Sequence, residues 1–196
     1  MTAKIIMLSG TKGVGKSEFA KQLAGTIADS GKVCNVVAFA DKLKEVAYRT
    51  LMAMGFTEQD VAAMLFTETK EDTNIFLEDL TPRDFICTLS EDLIKPFFGY
   101  DVWINEVASF IRESEADYII IEDMRTDDEY TDISMFFDVT TIYIHGETVY
   151  ECKNDYEPEE VVYDMDIHST GKTFVWEYDR DSNVFNTILE EIDATE

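Results

Sequence analysis

Apolar positions along the chain fall into blocks whose period switches between that of a strand and that of a helix. Lys4 to Ser9 is nearly all apolar, with Ile5, Ile6, Met7 and Leu8 unbroken, which predicts a short strand buried on both faces. After a glycine-rich break, Phe19, Ala20, Leu23 and Ile27 recur at helical spacing. Lys32 to Phe39 follows the helix stop Ser30-Gly31, and its β-branched residues predict a second strand that completes a βαβ unit. Asp41 is placed to cap a helix bearing Leu43, Val46, Ala47, Leu51 and Met54, which Gly55 ends. Thr57 to Phe66 predicts a short helix. Thr81-Pro82 opens another with proline in its first turn and Phe85, Ile86, Leu89, Leu93 and Ile94 as its apolar set; Pro96 to Gly99 is expected to break it. Asp101 to Ser114 predicts a further helix with Trp103, Val107, Phe110 and Ile111 on one face.

Asp117 to Asp123 is a short apolar run ending in carboxylates, expected to be a buried parallel strand that delivers Asp123 to its carboxyl end. Val139 to His145 and Thr173 to Tyr178 predict two more strands, and Ser182 to Ile192 a closing helix. Strands alternating with helices imply an α/β fold: three layers, a mostly parallel sheet flanked by helices. The length suits a single domain over residues 1–196. Residues 67–80 and 146–166 lack secure periodicity and are expected to be mobile, the second as a lid.

Charge sharpens this picture. The chain has 41 acidic and 16 basic residues, a net charge of −25, but residues 1–50 carry eight basic groups and four acidic ones. The few cations therefore gather round the glycine-rich break, where an anionic ligand needs them. Elsewhere the acid excess excludes nucleic acid as a partner, because the phosphate backbone would be repelled. That excess is read as a solvated surface, with docking to a basic protein as the alternative. No apolar run is long enough to span a bilayer and no secretory leader is present, so no membrane partner and a cytoplasmic location are expected. Cys34, Cys87 and Cys152 show no metal-ligand spacing and suit a reducing compartment.

The glycine-rich break itself carries the chemistry. Gly10-Thr11-Lys12-Gly13-Val14-Gly15-Lys16-Ser17 satisfies G-x-x-x-x-G-K-[ST] between a strand and a helix, the context that a phosphate-binding loop requires. Glycines let successive backbone N–H groups converge on phosphate oxygens, and the helix that follows adds the positive end of its dipole. Residues Gly10 to Glu18 are thus the candidate ATP site, with Lys16 reaching the β and γ phosphates and Ser17 the Mg²⁺ ligand.

Four further segments, in order, resemble the phage-type deoxynucleoside monophosphate kinases, a branch of the P-loop nucleotide kinases. They are Phe39-Ala40-Asp41-Lys42-Leu43-Lys44, Thr81-Pro82-Arg83, Asp101-Val102-Trp103 and Ile121-Glu122-Asp123-Met124-Arg125; Asp166-Ile167-His168-Ser169 is a candidate fifth. The resemblance implies transfer of the γ-phosphoryl of ATP to a deoxynucleoside monophosphate, in the host cytoplasm if phage-encoded, by a homodimer. It also implies roles for residues. Asp41, Lys42 and Lys44 would lie near the acceptor phosphate, Arg83 would hold one or both phosphates, and Trp103 would stack on the base or wall its pocket. Asp123 would orient Mg²⁺ through water or bond the sugar, and Arg125 would clamp phosphate. Lys16, Arg83, Asp123 and Arg125 form the implied catalytic set.

The chain also departs from that family. Gly15-Lys16-Ser17-Glu18 stands where the family has Gly-Lys-Asp-Thr, and Leu89-Ser90-Glu91-Asp92 replaces a Leu-Gly-Thr-Glu-like stretch. No arginine lies between Arg125 and Arg180, so Lys153 or Lys172 would have to supply the lid's positive charge. A P-loop kinase of another small molecule and a catalytically weak, acidic binding protein are the alternative readings.

Overall fold

The computed structural model describes residues 3–11, 13–67, 80–145, 173–177 and 183–194. Five strands, β1 (Lys4–Gly10), β2 (Cys34–Val37), β3 (Tyr118–Ile121), β4 (Val139–His145) and β5 (Thr173–Glu177), form one sheet in the order β2-β3-β1-β4-β5. Every pairing is parallel. The α/β class and the parallel sheet flanked by helices are as the alternating pattern predicts.

The central strands are closed on both faces. Ile6, Leu8, Ile120, Ile142 and Ile144 share a buried cluster with Phe19, Leu23 and Ile27 of α1 (Lys16–Asp29) and with Phe185, Ile188 and Leu189 of α8 (Asn183–Asp193). The rings of Phe19 and Phe185 meet at 5.0 Å, tilted by 57°. On the other face Ile5, Met7, Ile119 and Ile121 are no more than 1% exposed. Burial on both sides is why these strands read as unbroken apolar runs and not as alternating ones.

By its internal packing the chain divides into two compact units, 1–38 with 108–196 and 39–107. The first holds the whole sheet. The second contains α2 (Phe39–Ala53), α3 (Glu58–Phe66), α4 (Pro82–Thr88) and α5 (Lys95–Phe98), and has its own core of Leu43, Ala47, Leu51, Val61, Met64, Leu65, Leu89 and Trp103. Helix α6 (Val102–Glu113) contributes Val102 and Trp103 to that core. Among the described residues no helix is long and apolar enough to cross a membrane.

Several boundaries differ from expectation. β2 starts at Cys34 and not at Lys32, because Lys32 N–H closes the end of α1 by donating to Ile27 O at 3.3 Å. Helix α2 begins at Phe39, so Asp41 is a first-turn residue and not the cap; its carboxylate still meets the positive end of the helix. After Thr81 the helix does not break at Pro96. It passes through a π-helical turn at Leu89–Ile94, takes Pro96 into the first turn of α5, and stops at Gly99 with φ +102°. A helix that periodicity does not announce, α7 (Asp127–Ser134), follows β3. The expected mobile segment 67–80 lies outside the described residues except for its two ends, and 146–166 lies wholly outside them.

Across the amino-terminal edge of the sheet, the Tyr118 hydroxyl donates to the Asp193 carboxylate, which also pairs with Lys4 Nζ at 3.0 Å. The tyrosine's hydrogen bond, with help from Lys4, holds the Asp193 carboxyl below the usual carboxylate range. A depressed folded-state value stabilises the fold above the unfolded aspartate pKa of about 3.9, and the gain is lost as pH falls through the lower folded value. Asp193→Asn is therefore expected to melt below wild type at pH 7. The gap should close as thermal melts are taken below about pH 4; a gap independent of pH would show that this carboxylate's ionisation contributes nothing.

Candidate functional site

At the carboxyl end of β1 the chain turns through three glycines of positive φ: Gly10 at +145°, Gly13 at +81° and Gly15 at +98°. Gly10 is required twice over, since a Cβ there would sit 2.4 Å from the carbonyl oxygen of Ile144 on the neighbouring β4. Val14, 4% exposed, anchors the turn in the sheet's core. Gly15 is the left-handed N-cap of α1, and no side chain caps that helix. Its first-turn N–H groups and the positive end of its dipole are thus presented by backbone alone, the arrangement that binds anions.

Lys16 folds back across this turn. Its Nζ donates to Gly10 O at 2.7 Å and to Thr11 O at 2.9 Å. Burial lowers its pKa, the Arg125 guanidinium lowers it further, and Asp123 and Glu122 act in the opposite sense. The ammonium therefore sits in the field of a second cation and two carboxylates. Ser17 and Glu18 are exposed on the first turn of α1, where Gln22 Nε2 donates to Glu18 Oε1 at 3.0 Å. Lys12 lies outside the described residues.

Asp123 and Arg125 come from the turn between β3 and α7. Glu122 N–H extends the ladder to Val37 O at 3.0 Å, and Met124 is 1% exposed, so the turn is pinned at its start and its middle. β1 and β3 are neighbours, yet β1 leads to β2 beyond β3, and β3 leads to β4 beyond β1. Their outgoing chains part in opposite directions, which opens a crevice at the carboxyl edge. In open α/β sheets that switch point is where ligands bind. Sequence order alone does not put residues 10–17 beside 122–125; the strand order does.

The remaining candidates belong to the second unit. Lys42 Nζ pairs with Glu45 at 2.9 Å and Lys44 Nζ with Asp41 at 3.9 Å, all on the first two turns of α2. The hydrogen bond to Glu45 raises the Lys42 pKa. Arg83 is half-buried on the opening turn of α4, which is fixed by a reciprocal cap: Asp84 N–H donates to Thr81 Oγ1 at 3.1 Å, and Thr81 N–H to Asp84 Oδ2 at 2.8 Å. Trp103 is 9% exposed and its Nε1 donates to Ser90 Oγ at 2.9 Å, which makes it a core residue of this unit. Glu91 and Asp92 are exposed, and Glu91 pairs with Lys95 at 2.7 Å. Asp166 to Ser169, Lys153 and Lys172 lie outside the described residues.

Two residues of the site are not singled out by the sequence pattern. Glu122, next to Asp123, adds a second carboxylate to the field at Lys16. Glu129 closes the cap of α7, and Thr126-x-x-Glu129 is the available signal: a capping box before a helix with too few apolar positions to show a period. Cys34 is half-buried, and burial pushes its thiol up to about 11, so it is inert at neutral pH.

No known family's sequence pattern matches the chain, and no curated protein matches it. Solved structures do. A gluconokinase from Sinorhizobium meliloti 1021 superposes with a TM-score of 0.51 at 11% identity, over 98% of this chain and 93% of that one. A plasmid partition protein from Borrelia burgdorferi gives 0.46 at 16% identity, over 100% of this chain and 87% of its own. A partition protein from the same organism, bound to AMPPNP, gives 0.46 at 16% over 100% and 84%. At such identities the likeness to the gluconokinase is one of fold, a parallel α/β sheet flanked by helices.

Proposed function

We propose that the protein is a nucleotide kinase that transfers the γ-phosphoryl of ATP to a deoxynucleoside monophosphate, giving the diphosphate. The observation that carries this reading is the turn at Gly10–Ser17. Three positive-φ glycines and an uncapped helix start face the switch-point crevice, with Lys16 folded over two of the loop's own carbonyls. A triphosphate suits that cradle, since Lys16 would exchange two carbonyl partners for phosphate oxygens, a stronger charge-assisted bond. The donor set also suits a hard cation. The Ser17 hydroxyl and the Asp123 and Glu122 carboxylates offer oxygen only, and Mg²⁺ takes few protein ligands when phosphates supply the rest. Ser17, Asp123 and Glu122 would hold Mg²⁺, directly or through water, and the ion would supply positive charge against the triphosphate.

Within the chain, Lys16 and the loop amides would hold the migrating phosphoryl, and Arg125 would offset the charge that spreads over its oxygens. Asp123 would orient the metal's water shell. The family resemblance assigns Arg83, Lys42 and Lys44 to the acceptor phosphate; in the second unit Trp103 packs in the core shared by the helices that carry them. Catalysis of this kind rests on alignment and neutralisation, not on covalent steps. The resemblance in segments 39–44, 81–83, 101–103 and 121–125 supports a deoxynucleoside monophosphate as acceptor. The gluconokinase fold supports a second reading, a hydroxylated small molecule as acceptor.

A coupled assay of ADP release with ATP, Mg²⁺ and each deoxynucleoside monophosphate in turn, with gluconate as a further arm, separates the two. Turnover with one or more monophosphates and none with gluconate is expected. Turnover only with gluconate would replace the first reading by the second, and no turnover with any acceptor would remove both.

A further inference from the structure

We infer that Glu129 is a positioning residue, whose carboxylate fixes the β3–α7 turn and so the main chain from which Arg125 would reach toward the Gly10–Ser17 cradle. This inference rests on the phosphate-clamp role proposed for Arg125. Glu129 Oε2 accepts two backbone hydrogen bonds, from Arg125 N–H at 2.5 Å and Thr126 N–H at 3.0 Å. In return Glu129 N–H donates to Thr126 Oγ1 at 3.2 Å. A helix cap ordinarily needs only the N-cap amide, here that of Thr126. The additional bond reaches the main chain of Arg125 itself, outside the helix.

The turn from Glu122 to Thr126 is thereby held at three places. Glu122 N–H is tied to Val37 O, the Met124 side chain is buried, and the last two amides converge on one carboxylate oxygen. Arg125, exposed and long, has many side-chain conformations open to it, and a fixed main chain restricts the volume its guanidinium samples. That guanidinium lies close enough to Lys16 to disfavour its charge. Glu129 is itself half-buried, and burial raises its carboxyl pKa against the two amide bonds that lower it. A half-buried carboxylate kept at a cost in desolvation suits a group that orients the amides it bonds.

The test is a double-mutant cycle on the full chain, read by titration calorimetry with Mg·AMPPNP and by thermal melts. Arg125→Ala should weaken binding ~10-fold or more, and Glu129→Ala by ~3- to 10-fold. The double variant should bind no more weakly than Arg125→Ala alone, because Glu129 acts through the arginine. Glu129→Gln keeps a carbonyl oxygen and should bind within about twofold of wild type. Glu129→Asp, too short to reach both amides, should resemble Ala and serves if the alanine variant does not fold. A purely structural role would lower the melting temperature in both backgrounds and leave affinity unchanged, which overturns the inference. Additive losses in the double variant overturn it too, as does wild-type affinity in Arg125→Ala. If the wild-type protein itself gives no heat, the proposed function falls and takes this inference with it. Wild-type binding with an unaffected Glu129→Ala removes the inference alone.

Discussion

Lys16→Ala is expected to lower phosphoryl transfer by at least ~10²–10³-fold while leaving the melting temperature unchanged or slightly raised. The two halves of that expectation have one cause. In the folded chain Lys16 is half-buried, and both burial and the neighbouring Arg125 disfavour its charge. A base whose folded pKa is lowered makes the charged fold less stable at neutral pH, so removing it relieves a penalty. Its bonds to the carbonyls of Gly10 and Thr11 return part of that cost, and those carbonyls are left to water at the partly exposed loop. With nucleotide present the same ammonium meets triphosphate charge, and its loss removes stabilisation that grows toward the transition state. Steady-state assay beside a melting curve checks both halves. A fall in activity that tracked a fall in melting temperature would mean that Lys16 is structural.

Gly10→Ala is expected to fail in the opposite way, by damaging the frame. The new Cβ would lie 2.4 Å from Ile144 O, and φ of +145° is a conformation that L-residues avoid. The obstacle is backbone in a neighbouring strand, so no side-chain rotation relieves it. Strain of this kind costs on the order of 1–3 kcal/mol before the steric clash is added. For a domain of this size that is a fall in melting temperature of roughly 2–12 °C, with nucleotide affinity lost as the β1–β4 edge separates. Gly25, in mid-helix with nothing within 4 Å of an added Cβ, is the matched control, and Gly25→Ala should be neutral or stabilising. Equal melting temperatures for the two variants would refute the close approach at Gly10.

How much of this is legible in the sequence follows from what each feature depends on. Strands buried on both faces are local statements, so Ile5 to Leu8 and Tyr118 to Ile121 declare themselves as apolar runs. The phosphate loop is also local, since its glycines answer to φ requirements within the turn. Asp123 and Arg125 can be named as residues after a strand, but their meeting with Lys16 depends on β3 lying beside β1, a pairing between segments more than a hundred residues apart. Helix α7 is invisible to periodicity because Ile133 is its one fully buried residue; it is held by its cap. The run through Pro96 eludes the pattern for a related reason: the π-helical turn just before it changes the local hydrogen-bond register, so proline enters as a first-turn residue. Trp103 shows the limit of motif reading, because its type and position suit a base platform while its surroundings make it a core side chain bonded to Ser90.

The account stands on backbone amides gripping a polyphosphate, and amide resonances report that contact most directly. In ¹⁵N-labelled protein titrated with Mg·AMPPNP, the amides of Gly13, Gly15, Lys16 and Ser17 should move downfield, saturate together, and return when the nucleotide is dialysed away. Nucleotide that binds while these four amides stay still, or that leaves every resonance unmoved, would contradict it.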